Sequence, residues 1–133
     1  KRQPVAYWWQ SVMQGIGIDA VDIQRFRELL IRRPHLRTRL FTEQELTSLS
    51  GRVDDAGSLA ARFAVREATM KALGVGLGAF DFHDVSVHSA DSGAPELVVT
   101  GRALELATNR GVDGWHVSIT HTDSVAMAVV AAL

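Results

Sequence analysis

The sequence predicts an α+β fold in which helices pack against an antiparallel sheet. Helical spacing of apolar residues dominates the first half of the 133-residue chain, whereas alternating apolar and polar residues dominate the second half. Helices and strands that are segregated along a chain are typical of the α+β class. The length suits one domain. We place that domain at residues 15–133 and assign residues 1–14, which do not begin with Met, to a leader, tag or linker.

The first predicted elements are a short strand and a helix. Residues 15–18 read Gly-Ile-Gly-Ile and lead into Asp19, which predicts a strand that ends at this acid. Residues 21–33 place apolar side chains at helical spacing, and Pro34 then stops or bends the chain.

Two further helices are indicated by their terminal residues. Thr42 and Glu45 have the spacing of a capping box, which predicts a short helix after Phe41. Ser58 is a suitable N-cap for a longer helix that ends near residue 73, and Gly74 is well placed as its C' residue.

The second half of the chain is predicted to consist mainly of strands. Alternation and turn residues predict strands at residues 85–87 and 97–99 around a turn at 89–95, a helix at 102–110, and strands at 115–121 and 125–132. The last segment is almost wholly apolar, which favours a central position in the sheet.

Composition excludes several classes of function. The chain has no cysteine, so disulfides, thiolate metal sites and cysteine nucleophiles are excluded. The formal net charge of −1 gives no global sign of a nucleic-acid or membrane partner, and neither is expected. No apolar run is long enough to span a bilayer and no secretory signal is recognisable, so a cytoplasmic location is predicted. The five histidines form no dense cluster, so a zinc site is not expected.

The helix predicted over residues 58–73 carries the most informative polar residues. Glu67 and Lys71 share a helical face with Ala60 and Ala64, small residues that normally pack against another element. A carboxylate on such a face must be paired, bound to a metal or close to a shared surface. Lys71 could be only its ion-pair partner, and Asp19 could be only a helix N-cap. Alternatively, Asp19 and Glu67 together supply the hard oxygen ligands that Mg²⁺ prefers.

Other polar residues have equally open interpretations. Arg62 has the forked donors that phosphates favour, and His121 follows a strand where it could contact a phosphate or remain a neutral surface residue. The glycines of residues 74–78 lack the Lys and Ser/Thr of a P-loop. Arginines gathered over residues 25–39 could dock an acidic partner or form a solvated helix face.

Four segments, taken in order, resemble the holo-acyl-carrier-protein synthases, which are small bacterial-type 4'-phosphopantetheinyl transferases. They are GIGIDAVDIQRF at residues 15–26, LFTEQEL at 40–46, LAARFAVREATMKALG at 59–74 and WHVSITHTDSVAMAVV at 115–130. The resemblance covers nearly everything after Met13. It implies the 4'-phosphopantetheinyl transferase fold and transfer of the 4'-phosphopantetheine group of coenzyme A to a serine of an apo acyl carrier protein. That reaction releases 3',5'-ADP and serves fatty-acid or polyketide biosynthesis.

The same resemblance implies catalytic roles. Asp19 and Glu67 would hold Mg²⁺ together with the pyrophosphate of coenzyme A, and Lys71 would neutralise phosphate charge. Glu67 or a water molecule held by the metal would accept the proton of the carrier serine. Arg62 and His121 would contact the nucleotide end of coenzyme A.

The remaining implied contacts concern coenzyme and carrier. The residues expected along the coenzyme groove are Gly74, Pro95, Ser118 and Thr120, and those expected to face the acyl carrier protein are Arg25, Phe26 and Arg32. Proteins of this type are usually homotrimers with active sites between subunits. Two positions depart from the usual pattern. Arg66 replaces a Lys that normally precedes the helix acid, and Ala94 replaces a basic residue in the turn.

Overall fold

The computed structural model describes residues 13–133, so the assignment of residues 1–14 to a leader, tag or linker falls almost entirely outside the described residues. In chain order the elements are β1 (Gly15–Asp22), α1 (Ile23–Arg32), α2 (Leu36–Leu40), α3 (Glu43–Ser48), α4 (Ala56–Ala72), a 3₁₀ turn (Phe82–Asp84), β2 (Val85–Ser89), β3 (Pro95–Val99), α5 (Gly101–Asn109), β4 (Trp115–His121) and β5 (Val125–Ala132). Helices packed with antiparallel strands confirm the predicted α+β class.

The sheet topology places the apolar C-terminal strand in the centre. Strands β1, β5 and β4 form a three-stranded antiparallel sheet in that order, as predicted for β5. Strands β2 and β3 form a separate antiparallel hairpin. Helix α4 packs chiefly against β1 and β5 and supplies much of the core.

Two glycines allow β1 to lie directly against α4. A Cβ atom added to Gly17 would lie 1.9 Å from the carbonyl oxygen of Ala68, and one added to Gly15 would lie 2.0 Å from that of Ala72. Real Cβ atoms do not approach so closely, so both positions require glycine. The main chains of β1 and α4 are therefore in direct contact.

Substitution of Gly17 by Ala is expected to lower the free energy of unfolding by about 1–3 kcal/mol, because the added methyl group forces β1 away from α4. The matched control is Gly57→Ala in the first turn of α4, where an added Cβ meets nothing closer than 3.8 Å. Because Ala has the higher helix propensity, this control is expected to raise stability by up to about 1 kcal/mol. Urea unfolding of both variants measures the difference, and equal stabilities would contradict the close contact.

The start of α1 corrects one of the two interpretations of Asp19. The strand continues beyond Asp19, and α1 begins at Ile23. The carboxylate of Asp22 accepts a hydrogen bond of 2.8 Å from the backbone N–H of Arg25, so Asp22 is the N-cap. The alternative that Asp19 caps this helix is therefore wrong.

Helix α4 begins three residues earlier than an N-cap at Ser58 predicts. Its first residue is Ala56 rather than a residue after Ser58, and the carboxylate of Asp54 accepts a hydrogen bond from the N–H of Ala56. Its end is as predicted, since Gly74 follows with a φ of +69°. The short helix α2 was not predicted, because one and a half turns carry too little periodicity to recognise.

Within residues 13–133, none of the helices is both long and apolar enough to span a membrane.

Candidate active site

Two carboxylates from distant parts of the chain line one cleft. Asp19 follows Gly17 on the face of β1 that is turned toward α4, because alternate residues of a strand point the same way. Glu67 projects from α4 into the same space. Together with Arg25 and Phe63 they border an open cleft of about 390 Å³ between β1, α1 and α4. The structure thus brings together the two residues that the sequence singled out as metal ligands.

Lys71 forms an ion pair with Asp19, one of the two carboxylates. Its Nζ atom lies 3.2 Å from Oδ1 of Asp19 and donates a hydrogen bond of 2.9 Å to the carbonyl oxygen of Ile18. Within residues 13–133 no ion pair joins Lys71 to Glu67. The alternative that Lys71 is only the ion-pair partner of Glu67 on its own helix is therefore wrong.

Glu67 is the less satisfied of the two acids. No side-chain hydrogen bond joins it to another residue of the described chain, 13–133. Partial burial raises the pKa of its carboxyl group above the usual range, the charge of Asp19 adds to that effect, and Lys71 opposes it. An additional cation in the cleft would therefore stabilise the ionised form of Glu67.

The donor set fits a hard divalent cation with few protein ligands. Two carboxylates and no third ligand match Mg²⁺, which commonly takes one or two carboxylates and fills its other positions with phosphate and water oxygens. In the part of the chain that the structure describes, no group of three or more His, Asp or Glu residues is placed to hold a metal. A zinc centre, which usually takes three or four protein ligands, does not fit this arrangement.

Arg66 precedes Glu67 in sequence but points to the opposite side of α4. Its guanidinium forms a fully buried ion pair with Glu45, with both side chains 0% exposed. The nitrogen–oxygen distances are 2.5 and 3.1 Å, and Nε donates to the carbonyl oxygen of Phe82 at 2.9 Å. The guanidinium also lies 5.0 Å from the ring centre of Phe41. The positive charge of Arg66, which stands where a Lys normally precedes the helix acid, is therefore neutralised by Glu45 in the core.

Glu45 joins several elements and was missed as a core residue. Its carboxylate accepts hydrogen bonds from the N–H groups of Thr42 and Val87, each at 3.0 Å, besides those from Arg66. Burial disfavours the ionised form, but the hydrogen bonds and charge of Arg66 outweigh it and lower the pKa of Glu45. The sequence indicated Glu45 only as a capping-box residue, which it also is. The buried Glu45–Arg66 pair thus connects α3, α4 and β2.

Arg62 does not share the cleft with the carboxylates. Positions 62 and 67 are five residues apart, which places them about 140° apart around a helix. The Nη1 atom of Arg62 donates to the carbonyl oxygen of Ser58 at 3.3 Å. Its Nε atom is buried without a hydrogen-bond partner in residues 13–133, and burial lowers the pKa of this guanidinium. A contact with a coenzyme bound at the carboxylates of the same chain is not supported by this position.

Strand β4 presents two of the predicted coenzyme residues on the other face of the sheet. Asp19 is level with Ala128 of β5, and Ala128 is level with Ile119 of β4. Because alternate residues point to opposite faces, Ser118 and Thr120 point away from α4 and from Asp19. One chain alone therefore does not bring them to its own carboxylates.

The other predicted coenzyme residues lie at element ends. His121 ends β4 and is exposed, with Nδ1 3.4 Å from the carbonyl oxygen of Thr122. Gly74 is exposed just beyond α4, one turn after Lys71, and Pro95 begins β3 in the separate hairpin. All three are exposed or partly exposed.

The face of the three-stranded sheet that is turned away from α4, here called the outer sheet face, is largely apolar. Ile16 is 61% exposed, Ile18 54% and Met127 39%. Val129 lies level with Ile18 on this face. An exposed apolar surface of this kind commonly marks a protein–protein contact.

The predicted carrier-binding residues of α1 have different environments. Arg25 borders the carboxylate cleft, and Arg32 is exposed in the last turn of the helix. Phe26 is only 4% exposed, with its ring centre 6.2 Å from that of Phe41 and 5.3 Å from that of Phe63. It belongs to the core and offers little surface to a partner.

Two other arginines near α1 are already paired. Arg27 contacts Asp54 at 2.7 Å, and Arg37 contacts Asp55 at 2.6 Å. These ion pairs connect the loop before α4 to α1 and α2. Within the described residues, Arg25 forms no side-chain ion pair and is therefore better placed to meet an acidic partner.

Comparison with known proteins identifies the family of this chain. The family model described as the 4'-phosphopantetheinyl transferase superfamily matches residues 15–130. The holo-[acyl-carrier-protein] synthase of Streptomyces avermitilis is 48% identical over 118 residues, which cover 89% of this chain and 95% of that protein. The crystal structure of the corresponding synthase from Neisseria meningitidis has a TM-score of 0.83 and 27% identity, and covers 91% of this chain and 98% of the other.

A third similar protein has been solved with a ligand. The structure of holo-[acyl-carrier-protein] synthase from Helicobacter pylori in complex with coenzyme A has a TM-score of 0.78 and 29% identity, and covers 89% of this chain and 99% of the other. The chain described here therefore belongs to the 4'-phosphopantetheinyl transferase superfamily, as a transferase of the holo-[acyl-carrier-protein] synthase type.

Proposed function

We propose that this protein transfers the 4'-phosphopantetheine group of coenzyme A to a serine of an apo acyl carrier protein, with Mg²⁺ as cofactor, in fatty-acid or polyketide biosynthesis. The observation that carries the proposal is the cleft in which Asp19 and Glu67 converge and Lys71 lies 3.2 Å from Asp19. The similar Helicobacter pylori synthase binds coenzyme A, which supports the same donor here.

The reaction is a substitution at phosphorus. The hydroxyl oxygen of the carrier serine forms a bond to the β-phosphorus of coenzyme A, the bond from this phosphorus to the bridging oxygen breaks, and 3',5'-ADP leaves with that electron pair. Asp19 and Glu67 would hold Mg²⁺, which would supply positive charge to the phosphate oxygens during the transfer. Lys71 adds a positive charge at the same place. Glu67 or a water molecule accepts the proton of the serine.

The coenzyme groove is proposed to form between subunits of a homotrimer. The outer sheet face exposes Ile16, Ile18 and Met127, which supports burial against another subunit. Ser118 and Thr120 lie on that same face, away from the carboxylates of their own chain. A neighbouring subunit packed there would meet these residues, so the native mass of the protein in solution reports directly on this part of the proposal.

The reaction itself is tested by intact-mass spectrometry of an apo acyl carrier protein after incubation with the protein, coenzyme A and Mg²⁺. A phosphopantetheine mass gain that disappears with EDTA is the expected result. No gain on several carriers, from folded protein, would favour a carrier-binding module without activity. Transfer of a different group from coenzyme A or a nucleotide would indicate another phosphoryl or nucleotidyl transferase.

Charge reversal at Arg25 is expected to separate carrier binding from coenzyme binding. Acyl carrier proteins are typically acidic, so Arg25→Glu should weaken carrier binding about tenfold or more at low salt and should weaken coenzyme A binding far less. Titration calorimetry measures both dissociation constants. The matched control is Arg102→Glu, an exposed arginine on α5. Equal losses for the two ligands would contradict a docking role for Arg25.

A further inference from the structure

Among residues 13–133, the cation that contacts Asp19 is the ammonium group of Lys71. Its Nζ atom is bound both to Oδ1 of Asp19, at 3.2 Å, and to the carbonyl oxygen of Ile18, at 2.9 Å. The Asp19 side chain is 18% exposed, whereas that of Lys71 is 55% exposed. One partner is thus held in the cleft wall, and the other reaches it from solvent on a flexible stem.

We propose that Lys71 is a displaceable internal cation, which neutralises Asp19 until Mg²⁺ and the pyrophosphate of coenzyme A bind together and then moves from the carboxylate to the phosphate oxygens. The inference rests on the proposed function and adds to it the order in which Lys71 contacts its partners. Lys71 would have two successive partners, first Asp19 and then the substrate.

The chemistry of the lysine suits such an exchange. An ammonium group is a compact point charge on four rotatable methylene groups, and it lacks the planar fork that fixes arginine to one carboxylate. Ion pairs of exposed lysines are individually weak, so breaking this contact requires little free energy. The backbone carbonyl of Ile18 accepts a hydrogen bond from the ammonium group and holds it close to Asp19.

Competition for one oxygen couples the two ligands. A divalent cation that reaches Asp19 alone must break the Lys71 contact and leave two cations close together, which opposes its binding. The pyrophosphate of coenzyme A accepts the displaced ammonium and removes that opposition. Metal and coenzyme A should therefore strengthen each other's binding, and by thermodynamic linkage each should do so by the same factor.

The test is the dissociation constant of Mg²⁺, measured by titration calorimetry with and without saturating coenzyme A, after subtraction of the heat of Mg²⁺ binding to coenzyme A itself. Coenzyme A is expected to tighten Mg²⁺ binding to the native protein about tenfold or more. The variant Lys71→Met replaces the lysine by a neutral side chain of similar length. Without coenzyme A, this variant should bind Mg²⁺ at least about threefold more tightly than the native protein does. The factor by which coenzyme A tightens Mg²⁺ binding should be at least about threefold smaller in the variant.

A second variant separates displacement from the general loss of positive charge. Arg25→Met also removes one cation from the wall of the cleft, but no hydrogen bond or ion pair within residues 13–133 joins its guanidinium to Asp19. We expect this variant to retain the native coupling between Mg²⁺ and coenzyme A. The inference is overturned if Lys71→Met binds Mg²⁺ with the same affinity as the native protein, or if coenzyme A tightens Mg²⁺ binding to Lys71→Met as much as to the native protein. It is also overturned if Arg25→Met shows the same change as Lys71→Met both in Mg²⁺ affinity and in the tightening by coenzyme A.

Failure of the inference can be told apart from failure of the proposed function. If the native protein transfers phosphopantetheine to the carrier while the Mg²⁺ constants are unchanged in Lys71→Met, only the displacement is wrong. If the native protein binds neither Mg²⁺ nor coenzyme A, both the displacement and the proposed function are wrong.

Discussion

Replacing Arg66 by Ala is expected to lower the free energy of unfolding by about 3–5 kcal/mol, because it leaves Glu45 as an unpaired charge in the core. Both side chains of the pair are fully buried, and the carboxylate of Glu45 cannot turn toward water. The variant also leaves the carbonyl oxygen of Phe82 without the hydrogen bond from Nε. Urea unfolding followed by circular dichroism measures the loss.

A double variant tests whether the uncompensated charge causes that loss. Glu45→Gln combined with Arg66→Met removes both charges and keeps one amide oxygen, which can accept a hydrogen bond from the N–H group of Thr42 or from that of Val87, since these two groups bind different oxygens of Glu45. We expect it to be more stable than Arg66→Ala, since neutral replacement of a buried pair often costs little. A loss below about 1 kcal/mol in Arg66→Ala would show that the pair does not form in solution, because exposed pairs contribute no more than this.

Replacing Glu67 by Gln is expected to reduce the rate of phosphopantetheine transfer about 10²–10³-fold, the usual effect of removing one electrostatic group from a reacting centre. The amide keeps the size of the side chain but supplies no negative charge for a metal and no strong proton acceptor. Intact-mass spectrometry of the carrier over time measures the rate. The control is Glu105→Gln on α5, an exposed acid whose one ion pair within residues 13–133 is with Arg102 at 3.8 Å, and it should leave the rate unchanged.

The same variant should not destabilise the fold. Because burial raises the pKa of Glu67 in the folded chain, its ionised form lowers stability at any pH above that raised value. In the absence of Mg²⁺, Glu67→Gln is therefore expected to have a higher melting temperature than the native protein at pH 7. The difference should shrink as the pH falls toward about 4.3, the usual pKa of an unfolded-chain glutamate. A lower melting temperature at pH 7 would contradict the burial of this carboxylate.

Much of the fold could be predicted because local signals and tertiary contacts agree. Alternation predicted β4 and β5, and the capping box of Thr42 and Glu45 predicted α3, since these patterns act within a few residues. The start of α1 could not be resolved in this way, because Asp19 and Asp22 both stand near the end of a strand. Pairing of β1 with β5 continues as far as Asp22 and decides between them.

The candidate site was predictable in its residue types but not in its contacts. The face of α4 that carries Glu67 and Lys71 followed from helical spacing, yet the partner of Lys71 is Asp19, 52 residues away in sequence. The Glu45–Arg66 pair spans 21 residues and leaves no periodic trace in the sequence. Such contacts depend on how whole elements pack, and a single sequence carries no direct record of that packing.

The direct contact of β1 with α4 has a consequence for how this enzyme can change over evolutionary time or in the laboratory. Asp19 and Glu67 stand on two backbones that touch each other at Gly15 and Gly17, so their spacing is set by main chain rather than by the volume of intervening side chains. Substitutions of core residues elsewhere are therefore not expected to change the distance between the two carboxylates. A mutational library intended to alter substrate preference should hold these two glycines fixed and place its diversity at the exposed positions of α1.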